Sequence, residues 1–367
     1  MEIITVERLR RWLEEGRPVT MLDVRPAAER AEWYIPGSLH IDAYAALQAH
    51  DPHALAQVAL PANAPVVTVC AAGKTSQIAA EQLAARGMQV YSLEGGMKAW
   101  SLAWNTAELE VPQSKARIIQ LRRTGKGCLS YLIGADNEAF VIDASLEPQV
   151  YLELADAHDW QITRVFDTHI HADHLTRSRQ LAQMSGAMLF LPAQERVSFP
   201  FTAIYDSNTF DTGAMQLTAL HTPGHTPEST CYLLNNQILF TGDTLFLNSV
   251  GRPDLKAEAQ ETQMRATALY SSLHRLLALP LDTLVLPGHT SEPVPFDGVP
   301  IVSPLARIDE QVDVLHVPHS SFIAHILARI PPTPPNYERI VRLNEQGIFP
   351  EDDVTNLEAG ANRCAIA

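Results

Sequence analysis

The spacing of apolar residues divides the chain into two styles of patterning. Over the first hundred residues, short apolar runs alternate with stretches of helical periodicity. Residues 19–24 and 66–70 are apolar runs bounded by turn formers, as buried parallel strands tend to be. Helical patterns fall near 6–15, 76–86 and 97–104. That alternation predicts a small α/β domain on a parallel sheet over residues 1–105. The polar stretch that follows breaks the pattern and reads as a linker, 106–115.

From residue 116 the strands come in quick succession, at 118–122, 128–133 and 139–142. A helix near 149–157, just after Pro148, and a strand at 162–166 lead into a histidine-rich segment. Further strands are expected at 215–219, 230–234, 237–240 and 283–285. Strand pairs mixed with helices predict a layered α/β sandwich over 116–300. The remainder, 301–367, is Pro-rich around 331–335, with helical patterns near 321–329 and 337–344. It reads as a helical extension packing on the sandwich.

Composition narrows the class. With 46% hydrophobic and 19% charged residues, neither disorder nor a membrane protein fits. The N-terminal segment is a strand followed by a charged amphipathic helix and lacks the apolar centre of a signal peptide, so a cytoplasmic protein is expected. A formal net charge of −15 argues against a nucleic-acid partner. Assembly of identical copies is left open. The four cysteines, Cys70, Cys128, Cys231 and Cys364, are far apart, which argues against a disulfide framework. Cys128 and Cys231 fall in predicted strands as core residues, and Cys364 falls in a mobile tail.

The chemistry concentrates just past predicted strand ends. Thr168-His169-Ile170-His171-Ala172-Asp173-His174 offers four candidate ligands within six residues. They converge only if the chain turns there. His221-Thr222-Pro223-Gly224-His225, Thr241-Gly242-Asp243-Thr244 and Leu286-Pro287-Gly288-His289 each follow another predicted strand. Imidazole and carboxylate donors together suit zinc, iron or manganese.

These four motifs closely resemble the signature of the metallo-β-lactamase superfamily, whose fold is an αββα sandwich. The resemblance implies one metal site of His169, His171 and His225 and a second of Asp173, His174 and His289, bridged by Asp243, as in the glyoxalase II branch. The bridging Asp argues against an antibiotic-hydrolysing β-lactamase. In the persulfide dioxygenases of the superfamily the counterparts of His169, His225 and Asp243 hold one Fe(II). His171, Asp173, His174 and His289 are then the surrounding shell. Ser249-Val250-Gly251-Arg252-Pro253-Asp254-Leu255 resembles a segment of that branch, and Pro334-Pro335-Asn336-Tyr337 resembles dioxygenase–sulfurtransferase fusions. Arg252 is expected to bind a substrate carboxylate, with a structural pairing to Asp254 as its alternative. Tyr337 is expected to line the pocket, with plain packing as its alternative.

In the N-terminal domain, Cys70-Ala71-Ala72-Gly73-Lys74-Thr75 lies between an apolar strand and a helix. Backbone N–H groups of such a loop can stabilise a thiolate or persulfide. Together with Leu22-Asp23-Val24-Arg25, Ile35-Pro36-Gly37 and Leu93-Glu94-Gly95-Gly96, the loop resembles rhodanese domains, with Cys70 as the sulfur carrier. Two departures stand out: Ala71 replaces an Arg, and Trp33-Tyr34 replaces a Gly-His pair. Lys74 is expected to supply part of the lost anion contact. The fused pair implies a dioxygenase that oxidises glutathione persulfide with O2 at one Fe(II) per chain. A dinuclear or zinc-containing thioester hydrolase is the alternative.

Overall fold

The structure is a computed structural model that describes residues 2–61, 63–350 and 354–366. A five-stranded parallel sheet begins the chain, in the spatial order Glu2–Ile4, Val90–Leu93, Val66–Val69, Thr20–Asp23, Leu39–His40. Val66–Val69 is buried on both faces. Val67 and Val69 pack with Ile4, Trp12 and Trp100, whereas Val66 packs with Leu22 and Leu83. Successive side chains of a strand point to opposite faces, so an unbroken apolar run serves two layers of helices at once.

The rest of the chain forms two packed sheets of seven and six strands. Their inner faces share one core. Tyr131, Phe140, Phe166 and Phe190 from the first sheet meet Leu217, Tyr232, Leu234 and Phe240 from the second. Phe166 is the hub, with ring centroids 5.1 Å from Phe190 and 5.4 Å from Tyr232. Helices Pro148–Asp156 and Ser178–Ser185 cover the outside of the first sheet. Ala259–Leu277, Leu305–Gln311 and His319–Ala328 cover the second. The result is the expected αββα sandwich behind an α/β domain.

Three expectations are corrected. The segment read as a linker contains the strand Asn105–Glu110, which pairs antiparallel with Arg117–Arg122 as an edge of the seven-stranded sheet. Only Ala107 and Leu109 mark its inward face with apolar side chains, too weak a stripe to stand out. Cys364 is not in a loose tail: it is fully buried, next to a short strand pairing of Ala365–Ile366 with Val250–Gly251. Cys128 is buried as expected, yet at the edge of the sandwich, bridged to His289, rather than in its core. Among the described residues no helix is long and apolar enough to cross a membrane.

The domains meet through a polar seam. Arg123 is fully buried and donates to the Ser101 carbonyl at 2.7 Å and to the Glu358 carboxylate at 2.6 Å. Glu358 also accepts from Arg177 at 2.7 Å and from the Leu175 backbone N–H at 2.8 Å. One carboxylate thus ties the C-terminal extension to the interdomain turn and to the end of the histidine loop. Burial alone would raise its pKa, but the two guanidiniums, with Arg177 the stronger, pull it down to about 2. Glu358→Ala strands two buried cations and is expected to cost about 3–5 kcal/mol, read as a lower midpoint in urea unfolding followed by tryptophan fluorescence.

Candidate metal centre

All four candidate motifs lie at one edge of the sandwich. Gln161–Phe166 runs into the loop carrying His169 to His174, and Gln216–His221 into the turn that presents His225. Ile238–Gly242 ends beside Asp243, and Leu284–Pro287 ends two residues before His289. Two glycines allow these loops to close on one another. A Cβ on Gly242, which has φ +49°, would lie 2.5 Å from Thr168 Oγ1, and one on Gly288 would lie 2.7 Å from Asp243 Oδ1.

His225, His171 and His169 are each held by one ring nitrogen and leave the other free. His225 Nδ1 donates to the Arg252 carbonyl at 2.7 Å. His171 Nε2 donates to Asp143 Oδ1 at 3.2 Å. His169 Nδ1 donates to Thr168 Oγ1 at 2.9 Å, and that hydroxyl donates onward to Asp143 Oδ2 at 2.9 Å. Asp143 itself sits at φ +54°, a left-handed backbone that few side chains adopt without support. Its support is the Thr168 N–H, which donates to Oδ1 at 2.7 Å.

These contacts fix the tautomers and leave His169 Nε2, His171 Nδ1, His174 Nε2 and Asp243 Oδ2 buried without a hydrogen-bond partner. Buried polar atoms are rarely left so. Donor atoms of His169, His225 and Asp243 lie within 4.8 Å of one another, with Asp243 Oδ2 3.6 Å from His225 Nε2 and 3.9 Å from His169 Nε2. Burial first, and neighbouring imidazoles with it, lowers the pKa of His169 well below the ordinary value; burial lowers that of His225 too. Burial would raise Asp243, but His289 above all holds it below the usual carboxylate range. Two neutral imidazoles and one carboxylate, each with a free donor atom, fit a divalent cation.

Apart from the free His171 Nδ1 and His174 Nε2, the remaining donors are tied to one another. Asp173 Oδ1 accepts from His174 Nδ1 at 3.0 Å. Asp173 Oδ2 accepts from His289 Nε2 at 2.9 Å, from the Cys128 thiol at 3.2 Å and from Asn362 Nδ2 at 3.1 Å. His289 Nδ1 reaches Asp243 Oδ1 at 2.5 Å. Cys128 and Asn362 therefore belong to the centre, as does Cys364, whose sulfur lies within 4.8 Å of Asp243 and His289 donor atoms, although sequence reasoning placed none of them there. Asn344 is a further surprise: its side-chain amide donates to the carbonyls of His171 and His174, both at 2.9 Å, and clamps the loop from outside.

A cavity of about 470 Å³ reaches His225, walled by Ile170, Ala172, Leu255 and Val341. Arg196, Lys256 and Arg265 line it together with Glu261 and Glu345. Arg252 is not free to bind substrate: its side chain is fully buried, and its donors go to Asp254 and to the carbonyls of Pro331, Pro332 and Arg363. The structural pairing with Asp254 is the one observed. Tyr337 is half-buried and packs with Ile170, Ala172 and Leu255 behind the cavity wall, its hydroxyl 3.2 Å from Glu338.

In the first domain, Cys70 is buried at the end of Val66–Val69. Its sulfur accepts from the Gly73 N–H at 3.1 Å and lies 3.3 Å from Ser76 Oγ. The Met97 and Lys98 N–H groups donate to the carbonyls of Cys70 and Ala71 at 2.8 and 3.0 Å, clasping the loop from behind. A Cβ on Gly96 would lie 2.3 Å from the Cys70 carbonyl, so glycine is required there. Lys74 is exposed at the start of the helix Thr75–Ala85.

Comparison with known proteins agrees with this architecture. Residues 5–103 match the rhodanese-like domain family, and 123–200 and 179–289 match the metallo-beta-lactamase superfamily. Hydroxyacylglutathione hydrolase of Rhizobium johnstonii is 34% identical over 151 residues, which is 40% of this chain and 56% of that protein. The same enzyme of Methylobacillus flagellatus is 35% identical over 161 residues, 43% of this chain and 60% of that protein. The chain thus spans little more than half the length of these curated relatives. Among solved structures, ETHE1 from Myxococcus xanthus is 30% identical with a TM-score of 0.55, covering 63% of this chain and 99% of that one. A metallo-beta-lactamase from Staphylococcus aureus, 24% identical with a TM-score of 0.60 over 64% of this chain and 74% of its own, shares the fold. The chain belongs to the metallo-β-lactamase superfamily, with a rhodanese-like domain joined ahead of its metal-binding fold.

Proposed function

We propose that the chain is a persulfide dioxygenase with a fused sulfurtransferase domain, acting on glutathione persulfide or a related small persulfide. One Fe(II) would be held by His169, His225 and Asp243. The reaction balances as GSSH + O2 + H2O → GSH + SO3²⁻ + 2H⁺, the sulfane sulfur giving up the four electrons that dioxygen takes. Bound in such a facial triad, the ferrous ion supplies open positions for dioxygen and a sulfur anion.

The observation that carries this reading is the crowding of Asp173. Besides two imidazoles, it accepts from Cys128 and Asn362, two donors from outside the superfamily motif. That favours one ion at the triad over a bridged pair. The cavity beside His225 supports a glutathione-like ligand: apolar walls exclude water from the sulfur, while three cationic and two carboxylate side chains match a zwitterion with two carboxylates and one ammonium. Cys70 would exchange sulfur by Cys70–S⁻ + GSSH ⇌ Cys70–SS⁻ + GSH, its persulfide cradled by the Gly73 N–H. The names of the curated relatives favour a second reading, a two-metal hydrolase of acylglutathione thioesters.

Reconstituted anaerobically with ferrous iron, the full chain is expected to hold about one iron and to consume oxygen with glutathione persulfide, releasing sulfite. His225→Ala loses iron and oxygen uptake together. Cys70→Ser keeps oxygen uptake when glutathione persulfide is supplied directly and loses sulfur transfer to glutathione. Thiol release from lactoylglutathione by a metal-loaded protein that takes up no oxygen would decide for the hydrolase.

Asp143→Ala frees the rings of both His169 and His171 and is expected to weaken metal binding about 10–100-fold. Equilibrium dialysis of the metal-stripped chain measures this, and unchanged affinity would show that the rings are oriented by other contacts.

A further inference from the structure

Val66–Val69 and Val90–Leu93 each carry one small hydroxyl side chain among larger apolar and aromatic ones. These are Thr68 and Ser92, which are register partners. Ser76, in the first turn of Thr75–Ala85, meets both. All three are fully buried. A hydroxyl withdrawn from water costs free energy unless it finds a partner. Thr68 Oγ1 bonds to backbone, 2.7 Å from the Ser76 carbonyl and 3.2 Å from the Tyr91 carbonyl, and so fixes where the helix starts. Ser76 Oγ instead sits between the Cys70 sulfur at 3.3 Å and Ser92 Oγ at 2.9 Å.

A hydroxyl placed between a thiol and a second hydroxyl can turn two ways. While Cys70 carries its proton, the S–H donates to Ser76 Oγ and the Ser76 O–H donates to Ser92 Oγ. With Cys70 as a thiolate both hydroxyls turn about: the Ser92 O–H donates to Ser76 Oγ and the Ser76 O–H donates to the sulfur. Every group keeps a partner in both states, and no proton passes along the row.

We propose that Ser76 is a catalytic residue of the sulfur-transfer site and Ser92 its positioning residue: the pair gives the Cys70 sulfur a second hydrogen bond, beside that from the Gly73 N–H, only while the sulfur is charged. This rests on the reading of Cys70 as the sulfur carrier and names what stabilises its charge out of water. In loading, a lone pair of the Cys70 thiolate forms a bond to the sulfane sulfur of glutathione persulfide. The S–S bond of the donor breaks, its electron pair leaves on the glutathione sulfur, and that sulfur takes the persulfide proton. Charge thereby moves from Sγ to the outer sulfur, and the Ser76 hydroxyl turns back to Ser92. In discharge to a second thiol the charge returns to Sγ and the hydroxyl follows it. Cys70 is only 2% exposed, so a donor built into the fold is needed where water has little access. Hydrogen bonds to an ionised partner are the strong ones.

The test follows alkylation of Cys70 by iodoacetamide in the full chain across a range of pH, counted on the Cys70 peptide by mass spectrometry. Ser76→Ala is expected to react about tenfold more slowly at neutral pH and to reach the wild-type rate in alkali, so that its profile moves to higher pH. That variant leaves the Ser92 hydroxyl buried without its partner. Replacing both ends of a buried hydrogen bond is close to neutral for stability. The double variant Ser76→Ala with Ser92→Ala is therefore expected to keep the wild-type circular dichroism spectrum and to show the same displaced profile. A double variant with the wild-type spectrum and the wild-type profile would overturn the proposal. So would a rate lowered by the same factor at every pH, which marks blocked access to the sulfur. Alkylation needs no sulfur donor. A wild-type chain that transfers no sulfur refutes the carrier reading, whereas an unmoved profile refutes the role of Ser76.

Discussion

Burying Glu358 forces three distant parts of the chain to meet, because a carboxylate withdrawn from water must be surrounded by cations and N–H donors. Here those are Arg123 from the interdomain turn, Arg177 and the Leu175 N–H from the end of the histidine loop. Lys126 adds a bond to the Glu358 carbonyl at 3.0 Å. Glu358 also leads into the segment that carries Asn362 and Cys364 to Asp173 and Asp243. The same charge cluster therefore fixes where the first domain sits, where the histidine loop ends and where the terminal strand begins.

Asp143 plays the corresponding part inside the centre. It accepts from the Thr168 N–H and hydroxyl and from His171, so it orients the rings of two histidines that do not touch each other through hydrogen bonds. The strain of a left-handed aspartate is local, and three hydrogen bonds to one carboxylate are enough to hold it. Metal affinity in such a site depends as much on these orienting contacts as on the rings themselves.

The sequence made the donors at the strand ends legible, because each sits beside a glycine or proline turn after an apolar strand, a local signal. The Cys70 loop was legible for the same reason. What orders these donors was not. Asn344, Glu358, Asn362 and Cys364 act across separations of about 120 to 235 residues, and no local pattern marks an asparagine as a loop clamp or a glutamate as a keystone. Ala259–Leu277 escaped for a different reason: Thr262, Ala266 and Ser272 share its buried face with three leucines and dilute the apolar stripe. The strand Asn105–Glu110 hid behind alanine in the same way.

The two departures from the rhodanese pattern have different physical standing. Ala71 remains a plain loss of a cation beside the sulfur loop. Trp33 has a positive explanation in the domain contact: its indole N–H donates to the Thr124 carbonyl at 3.0 Å, and its ring edge lies where a Cβ on Gly127 would be 3.1 Å away. A Cβ on Gly125 would lie 1.8 Å from the Trp100 carbonyl, so the end of the helix Gly96–Trp100 touches the turn backbone directly. That helix begins with the residues that clasp the Cys70 loop, and that turn leads straight into Cys128 beside Asp173. The sulfur loop and the metal centre are thus joined through one helix and one turn packed backbone to backbone. The Trp33 indole adds its hydrogen bond to this backbone-to-backbone contact.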